Sequence, residues 1–153
     1  MLRTHTCGQL RTTDIGTEVT LCGWVDSKRD HGGAVFIDLR DRYGLTQVVV
    51  GPPEADAQRI DEAGRIPAES VILIKGKVAH RLEGKTNDKL PTGAIEVRGD
   101  HVEILNACAN PPFTPSQSDL PGEDLRLKYR FLDLRRKEMQ NALVQRSRII
   151  KVM

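Results

Sequence analysis

The chain has 153 residues, of which 39% are hydrophobic and 29% charged, a balance typical of a globular protein and not of a disordered or fibrous one. No apolar run approaches the ~20 residues that span a bilayer, and residues 1–5 (Met-Leu-Arg-Thr-His) lack the hydrophobic core of an export signal. Three cysteines without a Cys-x-x-Cys pair favour reduced structural thiols over a metal site. We therefore expect a cytoplasmic protein with no membrane partner and no bound metal.

The net charge of +2 is unevenly distributed. Residues 121–153 carry nine Lys/Arg against four Asp/Glu, whereas residues 1–120 carry fourteen against seventeen. That excess of acidic residues excludes, for the first 120 residues, the broad basic surface of a non-specific nucleic-acid binder. If this part binds a nucleic acid, local contacts and base readout must supply much of the binding.

Alternating apolar and polar residues predict three consecutive strands joined by short connections. The strands are expected at 18–26, 34–41 and 45–50, with a glycine-ended loop at 27–33 and a turn at 42–44. On the middle strand Val35, Ile37 and Leu39 share the core face, which leaves Phe36 as an aromatic ring on the polar face. Gly23 in the first strand predicts a bulge or bend there.

The next segment predicts a short helix and two more strands. The helix is expected at 54–64 with Gly64 as its C-terminal cap, and Pro67 prevents its continuation. Strands follow at 70–78, with a bend at Gly76, and from Gly93 to 105, with a break at 99–100. Five strands with a helix between the third and fourth predict an all-β fold, the five-stranded OB-fold Greek-key barrel.

Composition divides the chain into three predicted parts. Residues 1–106 form the OB-fold domain, the proline-rich residues 107–123 form a hinge, and residues 124–153 begin a further domain. Apolar residues recur at helical spacing from Lys137, and the sequence stops at Met153 without a helix-ending signal. We interpret the chain as the N-terminal fragment of a longer protein.

No catalytic site is predicted within these residues. The glycines form neither a phosphate-binding loop nor a dinucleotide fingerprint, and there is no His-Glu-x-x-His or Gly-x-Ser-x-Gly sequence. The carboxylate pairs have no spacing that singles out a general acid and base, which favours solvated surface charge.

Four segments, taken in order, closely resemble the bacterial-type aspartyl-tRNA synthetases. They are residues 7–11 (Cys-Gly-Gln-Leu-Arg), 19–25 (Val-Thr-Leu-Cys-Gly-Trp-Val), 36–42 (Phe-Ile-Asp-Leu-Arg-Asp-Arg) and 126–136 (Arg-Leu-Lys-Tyr-Arg-Phe-Leu-Asp-Leu-Arg-Arg). The asparaginyl and lysyl enzymes share the fold and a relative of the last segment, but the four segments together favour the aspartyl family.

The resemblance implies an anticodon-binding OB domain, a hinge and the truncated start of a class II catalytic domain. ATP, Mg²⁺ and aspartate would bind beyond Met153, so the fragment is expected to hold no cofactor, to bind the tRNA anticodon loop weakly and to aminoacylate nothing. The full-length enzyme is expected to be a homodimer, and the fragment a monomer.

The resemblance also assigns residues to the first two anticodon bases. Phe36 matches the ring that stacks on the central base, a uridine. Arg29 and Gln47 match side chains that hydrogen-bond that uridine. Glu96 matches the carboxylate that reads the first base, a guanine or its queuine derivative. Apart from the family, Phe36, Gln47 and Glu96 already fall on the non-core face by alternation.

Arg81 and Asn87 fall where the family contacts the third base, a cytosine. Some members charge only the aspartate tRNA, and others also charge the asparagine tRNA, whose third base differs. His31 followed by two glycines, and the small Gly84, resemble the relaxed type. Whether the enzyme charges one tRNA or both stays open at this point.

Two other functions fit an OB barrel. One is a general single-stranded nucleic-acid-binding module, which would be expected to show a basic groove and several aromatic residues. Only 4% of the residues are aromatic, and the barrel part is acidic. The other is an interaction barrel that binds no nucleic acid, and any tRNA binding would exclude it.

Overall fold

The computed structural model describes residues 2–153, which divide into two compact units, residues 2–110 and 111–153. The first unit is a closed barrel with strand order β1-β2-β3-β5-β4. Its elements are β1 (Glu18–Asp30), β2 (Val35–Asp41), β3 (Gly44–Val50), α1 (Ala57–Arg65), β4 (Val71–His80) and β5 (Ile95–Asn106). β3 and β5 pair in parallel, and the other neighbours pair antiparallel. The predicted five-stranded OB-fold, with its helix between β3 and β4, is confirmed.

The barrel interior is filled by the residues that alternation placed there. Val35, Ile37 and Leu39 of β2 are fully buried, as are Leu21 of β1 and Ile74 of β4. Branched aliphatic side chains from every strand interdigitate in this core, which fixes the register of each strand and so fixes which residues face outward.

The first strand is four residues longer than predicted. β1 continues to Asp30, with a register shift between Val25 and Ser27, so the bulge lies after Gly23 and not at it. Gly23 is required for another reason, since a Cβ there would lie 2.4 Å from the Arg40 carbonyl oxygen. The sequence obscured this extension because residues 27–30 are all polar and show no alternation.

The reversal between β1 and β2 is made by Gly32 and Gly33, as predicted. Their φ angles are +64° and +132°, values that disfavour residues with a side chain. The Asp30 carboxylate accepts a hydrogen bond from the Gly32 N–H at 2.9 Å, and the His31 N–H donates to the Ala34 carbonyl at 3.1 Å. The loop is therefore tight.

The helix α1 begins after Asp56, whose carboxylate accepts from the Arg59 N–H at 2.9 Å. The prediction of Gly64 as the C-terminal cap is wrong, because α1 runs through it to Arg65. The Lys28 ammonium of β1 donates instead to the carbonyls of Gly64 and Ile66. A cation at the C-terminal end of a helix interacts favourably with the free carbonyl groups there, so Lys28 caps α1 in place of a glycine. Lys28 and Gly64 are 36 residues apart, so the sequence does not indicate the pairing.

The predicted break at residues 99–100 is also wrong. β5 is continuous, and it pairs Gly76 with Gly99 and Lys75 with His101, so Asp100 is absorbed as a bulge. The register shift lies at Lys75 and Gly76, the position at which a bend is predicted.

The N-terminal segment is anchored to the barrel by Asp41. The predicted helical turn near residues 7–10 is a hydrogen-bonded turn over residues 7–9, followed by a 3₁₀ helix at Thr12–Asp14. The Asp41 carboxylate accepts from the N–H groups of Cys7 at 3.0 Å, Tyr43 at 2.8 Å and Gly44 at 3.0 Å, and from the Arg3 guanidinium at 2.9 Å. One side chain thus joins the N-terminus to the β2–β3 turn.

The second unit contains α2 (Glu123–Lys128), α3 (Arg130–Asp133) and α4 (Lys137–Val152). The helix predicted from Lys137 onward is confirmed by α4. Residues 107–122 contain no helix or strand, and the division into barrel, hinge and further domain stays a prediction. Within residues 2–153, no helix is long and apolar enough to cross a membrane. The three cysteines are free thiols, as expected.

Candidate nucleic-acid interface

The polar face of the barrel presents its side chains in rows across neighbouring strands. Register pairs Arg29 of β1 with Phe36 of β2, Phe36 with Val49 of β3, and Val49 with Arg98 of β5. The next row contains Ser27, Asp38 and Gln47, with Glu96 of β5 beside Gln47. A partly exposed aromatic ring is therefore flanked by arginines and lies one row from a set of polar side chains.

A cleft of about 600 Å³ opens on this face. All eight residues singled out from the sequence line it, together with three that were not; the full lining is Arg29, His31, Phe36, Gln47, Arg81, Leu82, Gly84, Lys85, Thr86, Asn87 and Glu96. The three additional residues lie in the 81–94 loop, and their proximity to Arg81 and Gly84 in the sequence was the available signal. The structure brings the eight together, and their individual roles remain predictions.

His31, in the β1–β2 loop, packs against Phe36, and both residues line the cleft. The two ring centroids are 5.3 Å apart and the rings are nearly perpendicular, at 81°. Such an edge-to-face contact stabilises a ring pair. It limits the orientations available to Phe36, the ring that the family resemblance predicts to stack on a base.

Gln47 and Glu96 are more buried than a position on the polar face led us to expect. Gln47 is 7% exposed and Glu96 is 5% exposed. The Gln47 amide donates to the Glu96 carboxylate at 3.2 Å, and the Arg29 guanidinium donates to the Gln47 carbonyl at 3.5 Å, the limit of a hydrogen bond. Gln47 and Glu96 therefore lie at the bottom of the cleft, where edge contacts to a base would be shielded from water.

Burial raises the pKa of Glu96 above its ordinary value, because the charged form loses solvation. The nearby Arg98 guanidinium, the hydrogen bond from Gln47 and Arg81 act in the opposite direction, with Arg98 contributing most. The carboxylate is therefore poised to gain a proton at a higher pH than an exposed glutamate would.

If Glu96 reads guanine, as the sequence resemblance implies, RNA binding is expected to depend on pH. A carboxylate accepts hydrogen bonds from the N–H groups of guanine, and a protonated carboxyl loses part of that capacity. We expect affinity for a loop with guanine in the first position to fall as the pH drops towards the raised pKa of Glu96, beginning above 4.5, the ordinary value. Titrating such a loop at several pH values checks this.

Glu96→Gln is the matched variant for that measurement, because it cannot titrate. Its affinity should stay nearly constant over the same pH range. The contribution of Glu96 to folding stability should respond in the opposite direction, because a raised pKa in the folded state favours that state at low pH and the benefit is lost as the pH rises through the folded pKa. An equal pH response of wild type and variant would contradict the role of Glu96.

Arg81 lines the cleft and carries a buried hydrogen-bond donor that has no partner within residues 2–153. Its Nε donates to the Ile95 carbonyl at 3.0 Å, while its Nη2 is buried and has no hydrogen-bond partner within residues 2–153. Burial lowers the pKa of the guanidinium, and the charges of Asp38 and Glu96 partly offset that effect. A buried polar group without a partner is uncommon, so this nitrogen is suited to an acceptor oxygen on a bound molecule.

The 81–94 loop carries the other two predicted residues of this side. Gly84 has a φ angle of +74° and lies in a turn closed by the Lys85 N–H, which donates to the Leu82 carbonyl at 2.9 Å. The Asn87 carbonyl of the side chain accepts from the Lys89 N–H at 3.1 Å. That bond directs the amide oxygen of Asn87 back to its own loop.

Comparison with known proteins identifies the family. The model of the tRNA anti-codon family, an OB-fold nucleic acid binding domain, matches residues 19–105. The chain belongs to this family. The matched region of this OB-fold domain spans all five strands and every residue that was predicted for the site.

Two curated relatives align with all 153 residues of the chain. The Aspartate–tRNA(Asp/Asn) ligase of Rhodopirellula baltica is 77% identical over 153 residues, and that of Dehalococcoides mccartyi is 47% identical over 153 residues. The chain spans 26% and 25% of their lengths. The resemblance to aspartyl-tRNA synthetases inferred from four sequence segments is thereby confirmed.

The chain is also similar to a solved structure of an asparaginyl-tRNA synthetase. The asparaginyl-tRNA synthetase of Pyrococcus horikoshii aligns with 88% of this chain and 30% of its own, at 27% identity and a TM-score of 0.73.

Within residues 2–153, no group of three or more His, Cys, Asp or Glu side chains is placed to hold a metal ion.

Proposed function

We propose that the chain is the anticodon-binding N-terminal part of an aspartate–tRNA ligase and that its cleft binds the anticodon GUC. The observation that carries this proposal is the convergence of eight residues, chosen from the sequence, on one cleft of an OB-fold. The cleft offers a ring for stacking, a carboxylate, an amide and two guanidinium groups, which are the groups that read unstacked bases in RNA loops.

The activity of the whole protein forms part of the proposal. It joins aspartate, through an adenylate made with ATP and Mg²⁺, to the 3′ end of the tRNA. The chain itself binds neither cofactor and is inactive and monomeric, while the whole protein is a cytoplasmic homodimer. The chain is 77% identical to a ligase but spans only 26% of its length, which supports the assignment of anticodon binding to this chain and of catalysis to the rest of the protein.

Each base of the anticodon has its own partners in the proposal. The central uridine stacks on Phe36 and is hydrogen-bonded by Arg29 and Gln47. The first base, guanine, donates its N–H groups to Glu96, which is buried at the bottom of the cleft. His31 supports the Phe36 ring, at 5.3 Å between centroids.

The third base is read as a pyrimidine, through Arg81 and the loop that contains Gly84 and Asn87. The unpartnered Nη2 of Arg81 can only donate. Cytosine and uracil both carry the O2 acceptor. A guanidinium donor directed at O2 would therefore tolerate either base. The structure thus supports the relaxed specificity for the aspartate and asparagine tRNAs, whose anticodons are GUC and GUU.

This reading predicts the response to a changed third base. Stem-loops with GUC and GUU should bind within about threefold of each other, and a loop with GUA should bind roughly tenfold or more weakly, because adenine has no O2 carbonyl to accept from the buried charged donor. Fluorescence anisotropy with the three loops checks this. A strong preference for GUC over GUU, or charging of the aspartate tRNA alone by the whole protein, would contradict it.

The alternative of a general single-strand module is separated by a permuted loop. A stem-loop in which GUC is scrambled has the same charge and base composition, so a module that binds through backbone charge alone would bind both loops equally. The proposal requires preference for GUC. Equal binding would support the general module, and an absence of binding would support a barrel with another partner.

A further inference from the structure

Asp38 is a carboxylate in the middle of a face that is proposed to bind RNA. It lies on β2 two residues after Phe36, and register pairs it with Ser27 on one side and Gln47 on the other. A negative charge here repels phosphate, so it weakens non-specific RNA binding. Asp38 is not one of the residues that line the cleft. A favourable contribution of Asp38 to RNA binding is therefore expected to act through a neighbouring side chain.

The neighbour is Arg29. The Arg29 Nη2 donates to both oxygens of Asp38, at 3.3 Å and 3.2 Å, and the Ser27 hydroxyl donates to the same carboxylate at 2.7 Å. Asp38 is 18% exposed, whereas Arg29 is 51% exposed. The hydrogen bond from Ser27 thus orients the Asp38 carboxylate. The carboxylate in turn restrains Arg29, whose side chain would otherwise sample many rotamers.

This contact also determines which donors of Arg29 remain for a ligand. Nη2 is directed to Asp38 and to the Gln47 carbonyl at 3.5 Å. The amide nitrogen of Gln47 is thereby left to donate to Glu96 at 3.2 Å. Nη1 and Nε of Arg29 are the guanidinium nitrogens not used in this network. A chain from Ser27 through Asp38 to Arg29 and Gln47 therefore fixes the orientation of both groups that face the central base.

We propose that Asp38 is a positioning residue that holds Arg29 in the orientation that distinguishes uracil from cytosine at the central anticodon base. The inference rests on the proposed function. Uracil presents the O4 acceptor where cytosine presents the N4 donor, and a guanidinium group can only donate. Discrimination between the two therefore depends on holding the guanidinium group at that edge of the base, and Asp38 supplies the restraint.

The test is the Asp38→Asn variant of the 153-residue chain, titrated with stem-loops carrying GUC and GCC. The variant loses a negative charge, so simple electrostatics predicts tighter binding to both RNAs. Positioning predicts the opposite for GUC, a loss of about tenfold, the usual size for a charged hydrogen bond, together with a GUC-to-GCC affinity ratio that falls towards one. The ratio does not depend on the fraction of variant that is folded.

Two further variants complete the experiment. Asp61→Asn makes the same charge change on α1, where Asp61 pairs with Arg65 at the surface, and it should leave the affinity ratio unchanged. Arg29→Ala and the double variant Arg29→Ala/Asp38→Asn should have the same ratio, because Asp38 acts through Arg29. The inference is overturned if Asp38→Asn keeps the wild-type ratio, or if its effect on the ratio persists without Arg29.

Failure of the proposed function would look different. In that case the wild-type chain itself would bind GUC no better than a scrambled loop, before any variant is compared. A wild type that prefers GUC, combined with an unchanged ratio in Asp38→Asn, rejects the role of Asp38 alone.

Discussion

Replacing Phe36 with alanine is expected to weaken binding of a GUC stem-loop by about 1–3 kcal/mol, roughly 5- to 150-fold. The ring is the aromatic side chain of β2 on the polar face, it lines the cleft, and His31 holds it edge-to-face at 5.3 Å. A base stacked on it would lose its platform, and the cavity left by alanine would admit water. Fluorescence anisotropy with the 153-residue chain measures the change.

Two variants make this result specific. Phe36→Trp keeps a stacking surface and should retain most of the affinity. Tyr43→Ala removes another aromatic ring, one that is 55% exposed at the β2–β3 turn and does not line the cleft, and it should have little effect. An alanine variant at position 36 that binds within about twofold of wild type would remove Phe36 from the stacking platform, since even the weakest such stack exceeds that difference.

Replacing Asp41 with alanine is expected to lower the free energy of unfolding by about 2–5 kcal/mol. Its carboxylate accepts from three backbone N–H groups and from Arg3, and it is 9% exposed. The substitution leaves several of these donors without an acceptor at a largely buried position. Urea denaturation followed by circular dichroism measures the loss.

Asp61→Ala is the matched control for the stability measurement. Asp61 is 59% exposed and pairs with Arg65 on the surface of α1, and such pairs contribute about 0–1 kcal/mol. A loss at Asp41 no larger than the loss at Asp61 would show that the N-terminal segment is not anchored through Asp41.

Much of the barrel could be predicted because its core follows simple alternation. Val35, Ile37 and Leu39 show period two, and they are fully buried in the structure. The same alternation placed Phe36 on the opposite face. Where alternation ends, the sequence misleads: residues 27–30 are polar on both faces and predict a loop, although β1 continues through them to Asp30.

The features that sequence could not supply depend on contacts between distant residues. Lys28 caps α1 through the carbonyls of Gly64 and Ile66, and no local pattern indicates that pairing. Gln47 and Glu96 are buried against each other although each follows a polar periodicity. The role of Asp38 also depends on register, since only the pairing of β2 with β1 and with β3 brings it beside Ser27 and Gln47.

The central claim is that the anticodon binds in the cleft beside Phe36, and amide chemical-shift mapping tests it most directly. Adding a GUC stem-loop to the ¹⁵N-labelled chain should shift resonances of β1, β2 and β3 around Arg29, Phe36 and Gln47, and those of the 81–94 loop. The cavity of about 240 Å³ between α1 and β5, lined by Ala63 and His101 among others, should not respond. Shifts concentrated in that second cavity, or spread evenly over the barrel, would contradict the account.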